Sequence, residues 1–206
     1  MKKKVMFIIL LCVAIFGVVG CQKQETKNDY QQYEVERGSV YLGDKNAKHN
    51  ILLAFDYSCP WCKKWITEVL PELKTKYVDG NEATYSSQPV ALLNKKSLFM
   101  AEVDEKVKHH APEKYYDVQH LFAKTQEEES WGTETFVKNK LGELGIDIST
   151  WNQENSDYDP LKITRDYTKN KGVKSVPTLF IDGIQIHDPF NLNEIDDAIN
   201  GKIKVN

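Results

Sequence analysis

The chain of 206 residues contains only four cysteines, Cys12, Cys21, Cys59 and Cys62, and no second pair spaced like the last two. A structural zinc ion takes four ligands as a rule, so half of a tetrahedral set is missing. Of the five histidines, only His109, His110 and His120 fall near one another, in a charged stretch of helical pattern. No metal is therefore expected. Basic blocks are missing as well. The net charge is −3, and −6 once Lys2, Lys3 and Lys4 are set aside with the first twenty residues. Nucleic acid as a partner is excluded on that ground, because its phosphates require a positive patch. The apolar run from Val5 to Gly20, without a charged or strongly polar residue, counts 16 residues, short of the roughly 20 that span a bilayer. What is present is 41 % hydrophobic residues, enough for one domain with a real core.

The short apolar run follows Lys2-Lys3-Lys4, the order of a charged and then an apolar region in an export signal. It ends in Val18-Val19-Gly20-Cys21, which resembles the lipobox of bacterial lipoproteins. That resemblance implies cleavage before Cys21 and a diacylglycerol thioether on Cys21, with Cys12 lost in the signal. An ordinary secretory signal and an uncleaved anchor are the alternatives. Residues 22–32 are polar and without apolar periodicity, the composition of a disordered tether, with a reach of roughly 20 Å. Two acyl chains meet the requirement for stable anchoring. The expected organisation is a signal over 1–20, a tether over 21–32 and a folded domain over 33–206.

Within the domain, Ile51-Leu52-Leu53-Ala54-Phe55 reads as a buried strand. Cys59-Pro60-Trp61-Cys62 follows, and then Trp65, Ile66, Val69, Leu70 and Leu73 recur at helical spacing. Pro60 suits a first helical turn, where its missing N–H has no partner to lose. Cys59 thus falls at a helix N-terminus, where unpaired N–H groups and the helix dipole stabilise a thiolate, the reacting form of the thiol. Cys62, three residues on, shares its face and lies within disulfide reach. Such a pair is suited to thiol–disulfide exchange. A purely structural disulfide is the plainer reading, but so small a loop gains little entropy from closure. Asp56, three residues before Cys59, acts on the Cys62 proton if it points inward and is an ordinary strand-end acid if it points outward.

The rest of the chain frames this stretch. Tyr33 and Val35 alternate as a first strand, Val40 to Gly43 leads to a turn, and Ala83 to Ser87 forms another strand after the helix. A strand on each side of that helix makes a β-α-β unit with a parallel pair. Four helical stripes follow: Leu98, Phe99, Val103 and Val107; Tyr115, Val118, Leu121 and Phe122; Phe136, Val137, Leu141 and Leu144; and Pro160 to Lys171. Gly145 and Gly172 stand where the last two should stop. They make an all-helical insertion over about 91–171. Val176-Pro177 then opens Thr178 to Ile181, and Asp182-Gly183 before Ile184 to Ile186 signals a hairpin with a type I′ turn. Asn191 and Glu194 have capping-box spacing for a last helix with Leu192, Ile195, Ala198 and Ile199 inward.

Cys-x-x-Cys opening a helix after a strand, then Val-Pro-Thr before a hairpin and a final helix, resembles the thioredoxin pattern. The 115 residues from Cys62 to Pro177, filled with helices, resemble the DsbA branch of extracytoplasmic disulfide oxidases. Leu42-Gly43-Asp44, Phe55-Asp56-Tyr57 and Pro71 look like its Gram-positive, BdbD-like lipoprotein members. The resemblance covers about residues 33–200. It implies an α/β thioredoxin fold with an all-helical insertion, and Cys59 and Cys62 as the catalytic, redox-active pair with no other cofactor. It also implies an active-site loop of Pro60 and Trp61, a cis peptide bond at Pro177 facing the cysteines, and a Val176 backbone able to pair with an extended substrate.

The implied activity is oxidation of cysteine pairs in exported proteins at the outer face of the bacterial membrane. The implied reoxidant is a quinone-linked membrane partner of the DsbB type. A monomer is expected, because residues 21–32 leave no room for a dimerisation domain. A reductase or isomerase in the same place, and a binding lipoprotein without redox turnover, are the other classes. Pro-Trp between the cysteines departs from the Pro-His of the best-known member, and Trp61 lacks the donor a histidine would bring. A milder oxidant is expected.

Overall fold

The strand β1, His49–Phe55, is buried at every position but Asn50. That requires cover on both faces, and the alternation of its side chains divides the cover in two. Ile51, Leu53 and Phe55 enter the larger core, with Trp65, Ile66 and Leu73 and the side chains of the helical insertion. Leu52 and Ala54 enter a smaller one with Val90, Tyr167, Val173 and Phe180. The structure, a computed structural model, describes residues 29–151 and 158–205. The expected signal, the lipobox with Cys21 and most of the expected tether lie outside the described residues.

From residue 60 to residue 78 the chain is one helical rod, α1, in which α-helical turns Pro60–Lys64 and Leu70–Leu73 alternate with π turns Trp65–Val69 and Lys74–Val78. Pro71 supplies a reason for the first π turn. Inside a regular helix its ring clashes with the carbonyl four residues back and its N–H is missing, and a widened turn relieves both. Strand β2, Ala83–Pro89, then pairs parallel to β1, from His49 opposite Ala83 to Phe55 opposite Pro89.

The insertion follows as α2 (Lys95–His110), α3 (Tyr115–Lys124), α4 (Glu134–Glu143) and α5 (Pro160–Lys169). Gly145, at positive φ, stops α4 where the sequence places it, whereas α5 ends at Lys169, two residues before the expected Lys171, with Gly172 at positive φ beyond it. The chain returns through β3, Thr178–Ile181, antiparallel to β1, and β4, Ile184–Gln185, antiparallel to β3, and closes with α6, Leu192–Ile199. The sheet order is β2-β1-β3-β4. This is a thioredoxin fold with an all-helical insertion between β2 and β3.

Asp182 and Gly183 take φ of 52° and 83° in the hairpin, as a type I′ turn requires. A Cβ on Gly183 would meet the carbonyl oxygen of Tyr33 at 2.4 Å. Three expectations are corrected at this end of the sheet. Tyr33 to Val35 forms no strand; pairing is limited to a bridge between Gln32 and Ile184 and flanking bonds from Tyr33 N and Gln185 N. The partner β4 is two residues long, and no further ladder is offered. The fold also begins before residue 33. Tyr30 is buried, stacks on His187 with ring centroids 4.2 Å apart and bridges Val205. An exposed sheet edge and an aromatic face thus hold residues of polar, tether-like composition. Finally, Asn191 caps α6 through Asn193 N and Glu194 N, but the Glu194 carboxylate turns to His187 N and Asp188 N instead of completing a box. A complete capping box occurs at Asn94 and Ser97, opening α2.

Candidate active site

Three chain segments converge on Cys59: the end of β1, the start of α1 and the loop before β3. Cys59 is the N-cap of α1, extended at φ −88° and ψ 120°, with Pro60 in the first turn. Its own N–H is bonded to Asp56 O and its carbonyl to Lys63 N, each at 3.0 Å, so the loop between strand and helix is closed from both sides. The Val176–Pro177 peptide bond is cis, and the Val176 carbonyl oxygen lies 3.5 Å from Cys59 Sγ, accepting from its thiol form. Cys59, Cys62, Val176 and Pro177 are thus brought to one place. Both cysteines are free thiols here.

The two sulfurs differ sharply. The thiol of Cys62, together with the backbone N–H groups of Cys62 and Trp61, donates to Cys59 Sγ and holds its pKa at about 6, against partial burial and the charge of Asp56. Cys62 is 1 % exposed. Burial, its bond to Cys59 and the charges of Cys59 and Asp56 push its thiol far above the usual range. Cys59, 5 % exposed, is thus the thiolate of the pair at neutral pH, and Cys62 the more deeply buried thiol.

Pro60 and Trp61 are exposed, Trp61 to 60 %. The Trp61 ring meets Phe190 edge-on at 6.0 Å, and Lys64 Nζ stands over both rings at 5.7 and 5.9 Å. Trp65, buried below, fixes the Phe190 segment by donating from Nε1 to Pro189 O at 2.8 Å. Leu93, 52 % exposed, belongs to the loop after β2 whose Asn94 accepts from Ser58 Oγ. Apolar side chains thus reach the surface on two sides of the cysteines.

Asp56 points inward and is fully buried. Its Oδ1 accepts from Ser58 N at 2.8 Å, and its Oδ2 from Leu92 N at 2.9 Å and Leu93 N at 3.0 Å. What it presents to Cys62 Sγ is its backbone N–H, at 3.4 Å. Sequence left the direction of Asp56 open and missed a second buried carboxylate altogether. Asp104 of α2 accepts from Tyr57 Oη at 2.6 Å and Tyr115 Oη at 2.9 Å and pairs with Lys108 Nζ at 2.9 Å. Lys108 also donates to Ser87 O, and Gln126 from the loop after α3 donates to Tyr57 O. The insertion therefore grips the residue two before Cys59 from two directions. The only signal in sequence was the i, i+4 spacing of Asp104 and Lys108, which is equally that of a solvated pair. Among the described residues no group of three or more His, Cys, Asp or Glu is placed to hold a metal.

A family model for thioredoxin matches residues 36–201. Disulfide bond formation protein D of Bacillus subtilis is 24 % identical over 82 % of this chain and 78 % of its own. A protein-disulfide oxidoreductase of Rickettsia bellii is 33 % identical over 64 residues, 31 % of this chain but only 25 % of that protein. The oxidised crystal structure of BdbD from Bacillus subtilis superposes with a TM-score of 0.67 at 18 % identity, covering 85 % of this chain and 98 % of BdbD. That last likeness speaks for the fold, including the helical insertion. The chain belongs to the thioredoxin family, as a DsbA-like member of its thiol:disulfide oxidoreductases.

Proposed function

We propose that this protein oxidises cysteine pairs of exported proteins by exchange through Cys59 and Cys62, at the outer face of the bacterial membrane. The observation that carries this reading is the placement of the two cysteines, with Cys59 at the N-cap of α1 beside the carbonyl of Val176 and Cys62 1 % exposed; the Cys59 thiol is lowered and the Cys62 thiol raised accordingly. In the oxidised protein a substrate thiolate attacks Cys59 Sγ, the Cys59–Cys62 bond breaks and Cys62 takes up a proton. The substrate's second thiolate then attacks the substrate sulfur of the mixed disulfide, and Cys59 departs as a thiolate. The substrate gains a disulfide and the protein two electrons. A stabilised thiolate is a good leaving group, so this last step is favoured.

Pro177, without an N–H, leaves the backbone of Val176 to pair with an extended substrate segment as an added strand. Cys21 carries the lipid anchor in this reading, and a quinone-linked membrane protein of the DsbB type removes the electrons. Direction follows from which form is more stable. Equilibration in glutathione buffers, with the Cys59–Cys62 pair read by mass, is expected to give a potential well above the roughly −270 mV of thioredoxin. The reduced domain is expected to melt above the oxidised one. A potential near that of thioredoxin with the oxidised form the more stable would instead make the protein a reductase.

A further inference from the structure

The N-terminal arm enters the fold at the same end of the sheet as the cysteines. β1 runs toward that end and hands over to the loop of Cys59, and β3 starts from it, with Thr178 opposite Ala54. β4 runs back toward it, from Ile184 opposite Ile181 to Ile186, whose N–H bonds to Leu179 O. The arm lies antiparallel along β4. Tyr33 N bonds to Gly183 O, Gln32 bridges Ile184, Gln185 N bonds to Gln31 O, and Tyr30 stacks on His187. Toward the N-terminus, each residue of the arm therefore lies nearer the active-site end. Tyr30, 7 % exposed and also bridged to Val205, is fixed at the level of His187. Three residues further on, the Phe190 ring meets Trp61.

The length of the tether gives this placement a consequence. From Cys21 to Tyr30 the chain has nine residue steps, about 30 Å at full extension and roughly 17 Å as a flexible coil. β1, seven residues, is itself about 20 Å long. A tether leaving from the far end of the sheet would set the cysteines farther from the bilayer by more than its own mean reach. Leaving from the near end, it keeps them close. Trp61, Leu93 and Leu161 are the exposed large apolar side chains among the described residues, and the first two flank the cysteines. Trp61 and Phe190 under Lys64 are the mixture of rings and lysine that suits a membrane–water interface. The net charge of −6 beyond residue 20 offers no general attraction to anionic lipid, so orientation falls to the arm. We propose that the arm turns the anchored domain with Cys59 toward the bilayer, so that its partners in exchange are cysteines of polypeptides held at the lipid surface. This rests on the lipid at Cys21 proposed above and adds which end of the domain faces the membrane.

The test uses the full lipidated chain in vesicles of phosphatidylglycerol and phosphatidylethanolamine, with a dansyl head group as acceptor of tryptophan emission. The signal of Trp61 is the difference between the wild type and Trp61→Phe. The far end is probed by Glu82→Trp in the Trp61→Phe background, since Glu82 is exposed and precedes Ala83, which pairs with His49 at the start of β1. The fraction of emission lost to the acceptor should be about twofold or more greater for Trp61 than for the far probe. A flexible insertion of about twenty Gly and Ser residues after Asn28 should bring the two together. Equal loss at the two ends without the insertion, or greater loss at the far end, overturns the inference. So does a Trp61 signal that the insertion leaves unchanged, which would assign the orientation to a lipid-binding face and not to the arm. Mass shows the lipid on Cys21 before transfer is measured. Its absence would sink the anchor, whereas a lipidated chain with no difference between its ends sinks this inference alone.

Discussion

Cys59 owes its low pKa first to the Cys62 thiol and then to the N–H groups of Cys62 and Trp61, acting against burial. Removing the leading donor has a predictable sign. In Cys62→Ala the Cys59 pKa should climb from about 6 toward the usual 9.0, followed by thiolate absorbance near 240 nm as pH is varied; no change would make the backbone donors sufficient. The pH dependence of stability follows from the same site. A group whose folded pKa is depressed contributes stability that is complete above its unfolded pKa, usually 9.0, and lost as pH falls through about 6. The advantage of the reduced over the oxidised protein should therefore shrink as pH falls from 9 to 6. Trp61, exposed to 60 %, reaches Cys59 only through its backbone N–H. Trp61→His adds a cationic donor beside the sulfur and should raise the potential in glutathione buffers, and an unchanged potential would count against any role for that side chain.

At the scale of elements, the insertion is attached to the active-site loop by a buried charge. Asp104, wholly buried, and Lys108, 7 % exposed, compensate one another, and both Tyr57 and Tyr115 depend on the same carboxylate. Asp104→Ala leaves a buried cation and two hydroxyls without their acceptor. It should cost about 3–5 kcal/mol in urea unfolding. Replacing the pair together, Asp104→Leu with Lys108→Met, should cost far less, since no charge is then stranded. Equal losses in the two variants would contradict the assignment. Helix α2 also shows what helical periodicity leaves out. Val103 and Val107 are buried as their spacing suggests, but so are Ser97 and Asp104, whereas Leu98 and Phe99 stay partly exposed. A stripe of apolar residues gives the face within a residue or so; which polar side chains that face carries inward depends on partners from β2, α3 and the loop after β1.

For the whole molecule, Tyr30 and Gln32 tie the first described residues to Val205 and to β4 at Ile184. Residues 30–32 belong to the domain and are not free tether, so any tether from Cys21 is shorter by those residues than composition suggests. The anchor has its own test. Cys21→Ala should abolish lipid labelling and block signal processing at this site, with the thiol chemistry of Cys59 unchanged; undiminished labelling would end the lipoprotein reading. No helix among the described residues is long and apolar enough to cross a membrane.

What the sequence determined by itself were features written in short, local patterns. Five consecutive apolar residues specified the buried strand, a cysteine before proline specified an N-cap thiol, and Asp-Gly between apolar runs specified the hairpin turn. The four stripes, with Gly145 and Gly172 after the last two, specified an inserted helical layer, and the long interval to Val176-Pro177 specified where the chain returns. Tertiary structure decided the rest, because these features depend on groups far apart in the chain. Asp56 points inward because the N–H groups of Leu92 and Leu93, 36 and 37 residues away, offer it donors. Tyr30 is buried because a sheet edge and His187 are there to receive it. Asp104 is tolerated in the core because Lys108, Tyr57 and Tyr115 meet it there. A buried polar group is decided by its partners, and those are assembled only when the chain has folded.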